Sequence, residues 1–414
     1  MSFCEAPVWK LVVAFIHVLF VAHGSNLDIA RAPAPLYRDP IFDGAADPTV
    51  VYDQVRGAWV IFYTQRRASD LSLLNKTWCF GTDIGVAMSK DMGVTWAYQG
   101  VAKGLHFEPG TNTFWAPDVL KLRDPKSMPG GLGAEYHMHV TYIKGAAAEQ
   151  SFPLTNGRYQ RKKRLTGWGE GVQRVAHYST SDLLGTWVFQ GLVPALDKVL
   201  DPDVVRLPDG LFKMWFKDLR TRGQTGAAVS SDLATWRRLA ALETATSQDL
   251  SSASALVYEA HKIVPPHEAP NVFEWRGFHW LLVDPLEKPG ILVLRSADGS
   301  PPWSLQKEPV LHWGGIRPLD SADGNHVDVV VDADRAFLFY FVHPGRPCQQ
   351  KASLQFRQSV LQVAELEFEK EGRSGGGAGL KCKRDRYAKW GKERSKRGIE
   401  EKEKKQKQKT RVPL

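Results

Sequence analysis

The chain has 414 residues, a formal net charge of +9, 11% aromatic residues and 14 Trp. That aromatic content excludes a disordered chain, and four cysteines, one of them near the N-terminus, exclude a disulfide framework or a zinc-finger spacing. The positive charge does not point to nucleic acid: residues 370–414 hold 17 Lys/Arg against 6 Asp/Glu, more than the whole excess, so the body is near neutral.

Lys10 precedes an apolar run, Leu11 to Ala22, followed by Ala22-His23-Gly24. This is the layout of a secretory signal cut after Gly24, and the run is shorter than the roughly 20 residues of a membrane span. The expectation is a signal peptide over 1–24 and a secreted, extracellular product with no membrane attachment once the signal is removed. The glycosylation sequon Asn75-Lys76-Thr77 fits export.

From residue 46 onward one layout recurs five times: a polar start, a short strand, a turn and an apolar strand. Ala46-Asp47-Pro48-Thr49-Val50-Val51 leads through Arg56-Gly57 to Trp59–Tyr63. Trp115-Ala116-Pro117-Asp118-Val119 leads to Tyr136–Tyr142, and Leu200-Asp201-Pro202-Asp203-Val204 leads to Phe212–Phe216. His267-Glu268-Ala269-Pro270-Asn271-Val272 leads to Phe278–Val283, and Asn325-His326-Val327-Asp328-Val329 to Ala336–Phe341. All-β repeats of this period predict a propeller, here all-β and five-bladed, over residues 25–370.

After four of the units comes a second signature, such as Ser89-Lys90-Asp91-Met92-Gly93-Val94-Thr95-Trp96 and Ser230-Ser231-Asp232-Leu233-Ala234-Thr235-Trp236. Its Asp closes a hairpin on backbone N–H groups and its Trp packs between blades, a structural device. The fifth unit lacks this copy, and Ser359–Phe368 is expected to complete that blade. The segment before Asp47 is expected to help close the ring, whose edges need protection. Two insertions, 124–133 and 144–174, decorate the pattern; the second holds Arg161-Lys162-Lys163-Arg164 and Trp168. Residues 371–414, Gly-rich and then highly charged, are expected to be a basic, low-complexity, disordered tail.

Aligned on their first Val (50, 119, 204, 272 and 329), the units place Asp47, Ala116, Asp201, Ala269 and His326 three residues earlier. Thr49, Asp118, Asp203, Asn271 and Asp328 stand one residue earlier. Residues two apart share a strand face, so acids from different blades converge on the axis. Glu268 stands four before its Val, one step out of phase, which suggests a bulge or a strand only beginning there. Carboxylates gathered in this way repel and are costly to bury unless one keeps its proton or a cation joins them. That split suits glycoside hydrolysis, in which one carboxyl donates a proton to the leaving oxygen and another activates water.

The order Asp-Pro-x-Val, Trp-Ala-Pro-Asp-Val, Asp-Pro-x-Val, Glu-x-Pro and then a fifth-blade His resembles glycoside hydrolase family 43, from about Phe42 to Phe368. The resemblance implies a five-bladed inverting glycosidase with Asp47 as general base, Asp201 as modulator of the acid and Glu268 as general acid. It further implies substrate contacts from Trp115, Asp118, Asp203, Asn271 and His326, with His326 also near a structural calcium at the axis and no cofactor required for the reaction. The implied partner is an oligo- or polysaccharide of plant or algal type with pentose- or galactose-type bonds, cut by a monomer; no nucleic-acid partner is expected. Ala269 stands where Gly is more usual in the family. Three rivals remain. A retaining fructan-type glycosidase would have Arg before its third-blade acid and Cys after its Glu, where this chain has Leu200 and Ala269. A sialidase would share the Ser89–Trp96 pattern but needs a sixth unit. A non-catalytic propeller lectin would have no use for Asp47 and Glu268 together.

Overall fold

The computed structural model describes residues 27–70, 79–122, 124, 134–145, 172–221, 223–239, 266–286, 288–299, 303–312, 314–345, 354–370 and 377–386. The expected signal peptide, the sequon, most of both insertions and the tail beyond 386 lie outside them. Five antiparallel sheets of four strands each follow one another along the chain, every sheet ordered as its strands occur in sequence. The first blade is β1 (Ala45–Asp53), β2 (Ala58–Gln65), β3 (Asp83–Ser89) and β4 (Ala97–Val101). The second is β5 (Thr113–Lys121), β6 (Tyr136–Ile143), β7 (Arg174–Thr180) and β8 (Val188–Asp197). The third is β9 (Val199–Arg206), β10 (Phe212–Asp218), β11 (Gln224–Ser230) and β12 (Arg237–Arg238). The fourth is β13 (His267–Trp275), β14 (Phe278–Pro285), β15 (Leu292–Ser296) and β16 (Ser304–Leu305). The fifth is β17 (Gly324–Asp332), β18 (Arg335–Val342), β19 (Val360–Glu369) and β20 (Gly379–Cys382). This is the five-bladed propeller that the repeats predict.

Apolar side chains fill each junction between blades. Phe62, Met138 and Trp187 lie between the first and second, and Val175, Phe216 and Trp236 between the second and third. Trp215, Val272 and Trp303 follow, then Trp280, Leu338 and Val360. The Trp of the second signature packs as expected: Trp187 meets Phe62 of the preceding blade edge-on at 5.6 Å. The Asp of that signature closes its turn, since Asp91 Oδ1 accepts the Thr95 N–H at 2.8 Å and Asp232 Oδ1 that of Thr235 at 2.7 Å.

The last junction joins Phe339 and Leu361 of the fifth blade to Trp59 and Ile61 of the first, with Leu27, Ile29, Leu36 and Tyr37 packed between them. Tyr37 bridges Leu361, and the Leu27 N–H donates to the Asp332 carboxylate at 2.8 Å. The segment before Asp47 therefore helps to close the ring.

The C-terminal boundary needs correction. The expected Ser359–Phe368 strand is β19, the third of the last blade, and β20, inside the expected tail, is the outer one. Arg384 beyond it is 7% exposed and binds Asp320, which is fully buried, at 2.6 Å. The described domain runs to Arg386. The strand β20 is too short, and its surroundings too basic, to show an apolar alternation in the sequence.

Candidate active site

Every inner strand breaks its ladder at the same place. The register shifts between Ala46 and Thr49, between Trp115 and Asp118, between Glu268 and Asn271, and between Asn325 and Asp328; β9 skips from Leu200 to Asp203 likewise. The residue at each bulge has a left-handed backbone: Asp47 (φ 49°), Ala116 (46°), Asp201 (56°), Ala269 (51°) and His326 (41°). None is glycine, so each costs roughly 1–2 kcal/mol. Pro follows four of them and has no N–H to give a ladder, which helps to set the break there. Such repeated strain re-aims side chains, and it concentrates at functional sites.

The preceding blade holds four of these strained residues by their N–H groups. Ala116 N–H donates to Thr64 Oγ1 at 2.8 Å and Asp201 N–H to Thr141 Oγ1 at 2.9 Å. Ala269 N–H donates to Asp201 Oδ2 and His326 N–H to Asp284 Oδ2, both at 3.1 Å.

The side chains at the bulges form one cluster of charges. Asp47 is buried, with Arg66 Nη2 at 3.4 Å and His326 Nδ1 at 3.5 Å. Burial pushes its carboxyl up, but Arg66, His326 and the Thr64 hydroxyl outweigh that and hold it below the ordinary carboxylate range. Asp201 goes the other way, to about 6, chiefly through burial, with Glu268 and Asp47 adding to the rise and His326 and Lys217 opposing it. Asp201 thus lies within electrostatic reach of both Asp47 and Glu268. Glu268 keeps 35% of its side chain exposed, and its Oε2 accepts from Lys217 Nζ at 2.7 Å; Lys217 itself is 5% exposed. Glu268 pairs with Asp284 at the second position of β13, and the bulge begins directly after it. Trp115 is buried against Phe80, with its indole N–H on the Cys79 carbonyl.

Asp118, Asp203 and Asn271 lie apart from the bulge residues. With Asp328 they make a second cluster, two residues further along the inner strands. Asp118 Oδ2 accepts the Val204 N–H at 3.0 Å, Asp203 Oδ2 that of Val272 at 3.0 Å, and Asp328 Oδ2 that of Val50 at 2.7 Å. The Asn271 amide spans Asp203 Oδ1 at 3.0 Å and Asp328 Oδ1 at 3.3 Å. Each carboxyl clasps the next blade, so these groups have a structural duty. Burial pushes Asp203 up to about 8 and Asp328 to about 7.

Among the described residues no group of three or more His, Cys, Asp or Glu is arranged to hold a metal ion. The axial carboxylates each give one oxygen to a backbone N–H, and His326 Nδ1 lies 3.5 Å from Asp47. A cavity of about 590 Å³ on the outer wall between blades four and five, lined by Arg295, Gln306, Glu308 and Lys381, contains none of the acids at the axis.

Two charged groups of the cluster escaped the sequence reading. Lys217 and Asp284 lie opposite Leu200 and Glu268 in the ladder, as Thr64 and Thr141 lie opposite Ala46 and Trp115. The signal was a polar residue closing an otherwise apolar second strand.

No protein family matches this sequence, and no curated protein does either. Solved structures do. A GH43 β-xylosidase/α-arabinofuranosidase from a compost microbial metagenome, in complex with xylotriose, superposes with a TM-score of 0.52 at 14% identity over 86% of this chain and 98% of its own. A GH43_1 enzyme from Xanthomonas citri, also with xylotriose, gives 0.52 at 15% identity over 84% and 93%. The GH43 protein BlXynB of Bacillus licheniformis, as a K247S mutant, gives 0.51 at 13% over 84% of this chain and 57% of its own. The chain has the five-bladed fold of the GH43 structures. At such identities the likeness establishes architecture, and chemistry has to be argued from the residues.

Proposed function

We propose that the chain is a glycoside hydrolase working by inversion, with Asp47 as general base, Glu268 as general acid and Asp201 between them. The observation that carries this reading is the opposite treatment of neighbouring carboxyls at the strained bulges. Asp47 is held ionised by Arg66 and His326, as a water-activating base must be. Asp201 is pushed toward its neutral form and adjoins Glu268, the most exposed acid of the three and so the one best placed to reach a leaving oxygen. Five non-glycine residues in left-handed backbone are a heavy outlay for a propeller that only binds. In an inverting enzyme the two carboxyls stand about 6.5–9.5 Å apart, leaving room for water.

The substrate in this reading is a pentose- or galactose-type glycoside of plant or algal polysaccharide. The xylotriose complexes of structures with this fold favour the pentose. Export through the Leu11–Ala22 segment and action as a monomer belong to the same proposal. The test is a screen of aryl xylosides, arabinofuranosides and galactosides with Glu268→Gln as control. Hydrolysis by the wild type, lost in the variant, is expected; equal rates for the two, with glycan binding intact, identify a lectin instead.

A further inference from the structure

The reading above leaves Asp284 without a role. It lies near the end of β14, directly opposite Glu268 in the ladder, and is 9% exposed. Its Oδ2 accepts the N–H of His326, whose ring nitrogen faces Asp47. In the first two blades the same latch is made by a hydroxyl, Thr64 or Thr141. A hydroxyl therefore suffices to hold a left-handed bulge. A buried carboxyl is more costly than a buried hydroxyl, and here it sits beside two other acids, so its ionisable group serves something beyond the latch.

We propose that Asp284 is a positioning residue: it holds the His326 backbone against Asp47 and faces Glu268 with a second acid, which keeps a proton on the donor side of the site. The inference rests on the hydrolase reading and deepens it. Glu268 then has Lys217 at 2.7 Å on one side and the acids Asp201 and Asp284 beside it. The charged groups facing Asp284 are Glu268, Asp201 and Lys217. Burial, then the charge of Glu268, drives the Asp284 carboxyl well above its ordinary value, so it supplies a proton-bearing group where Lys217 alone would strip the site. One side chain thereby serves the base through His326 and the acid directly.

Two variants separate charge from latch. Asp284→Asn keeps an acceptor for the His326 N–H, and Asp284→Thr copies the solution of the first two blades. Both are assayed beside the wild type on aryl glycosides of the sugar it accepts, one with a poor and one with a dinitrophenyl leaving group. In both variants the alkaline limb of the kcat/KM profile is expected to move to lower pH by about one unit, with KM changed less than about threefold. At pH 7 the poor leaving group should lose about tenfold or more in kcat and the activated one less than about threefold, since it needs no protonation. An unmoved limb, or equal losses on both substrates, overturns the inference and leaves the hydrolase reading standing. A wild type without hydrolysis overturns both. Melting temperatures identify the folded variant, and either alone decides the matter.

Discussion

Asp203 is the most informative residue to perturb in the axial clasp. Its two oxygens take the Val272 N–H and the Asn271 amide, each at 3.0 Å, and it is 7% exposed. Asp203→Ala leaves the Val272 N–H unpaired and takes from the Asn271 amide one of its two acceptors, the other being Asp328 Oδ1, a loss of roughly 1–3 kcal/mol or more. Asp203→Asn keeps an acceptor and removes the titration. The carboxyl titrates near 4 when unfolded and at about 8 when folded, because burial disfavours its charge. Between those values the folded chain holds a proton that the unfolded chain releases. This group's contribution is therefore complete below about pH 4 and lost as pH rises through 8. At 1.36 kcal/mol per pH unit the loss has an upper bound of about 5 kcal/mol, and sharing among the clasp carboxyls reduces it to the order of a few. Urea unfolding at pH 6 and pH 9 measures this. The wild type should lose stability between the two, and Asp203→Asn should lose distinctly less. Parallel declines for the two proteins, or an Asp203→Ala cost below about 1 kcal/mol at pH 6, would refute the reasoning.

Three further outcomes are expected. His137, His139 and His177 stack inside the second blade, His137 Nδ1 lying 2.9 Å from His177 Nε2, and burial lowers His137 to about 4, His177 to about 3 and His139 well below its ordinary value. Stability should therefore fall as pH drops below about 6.5, and His139→Leu, which replaces a ring whose nitrogens find no partner among the described residues, should flatten that acid limb in urea titrations; an unchanged limb counts against it. Arg384→Ala strands the Asp320 charge at a fully buried position and should cost about 3–5 kcal/mol, and truncation after Lys370 should cost more than truncation after Arg386; equal melting temperatures for the two truncations would contradict the corrected boundary. Arg66→Ala removes the cation nearest Asp47 at 3.4 Å, so the acid limb of kcat/KM should move to higher pH by roughly 1–3 units; an unmoved limb would deny Asp47 the role of base.

The blades were legible because each repeats an acid or His, a strand, a turn and an apolar strand, and because Trp187 and its counterparts mark the junctions. Asp47 and Asp201 were legible from their phase relative to the first Val, and Glu268, one step out of phase, joined them as candidates through the family resemblance. Apart from the one suggested by the phase of Glu268, the bulges were not legible, because alanine, aspartate and histidine carry no sign of left-handed backbone, and Gly is the residue that usually announces it. That bulge is what separates the Asp47–Asp201 cluster from the clasp of Asp118, Asp203 and Asp328, which simple alternation brought together at the axis. Lys217 and Asp284 needed the ladder register, which no single strand reveals. The last strand, Gly379–Cys382, was hidden by the basic residues around it.

The central claim is that Asp47 and Glu268 act on one glycosidic bond from opposite sides. Proton NMR of the first sugar released from an activated glycoside, recorded faster than the product mutarotates, tests it most directly. The account predicts the anomer opposite to that of the substrate from the wild type, with turnover abolished in Asp47→Asn. Release of the retained anomer, or full turnover in Asp47→Asn, would contradict it.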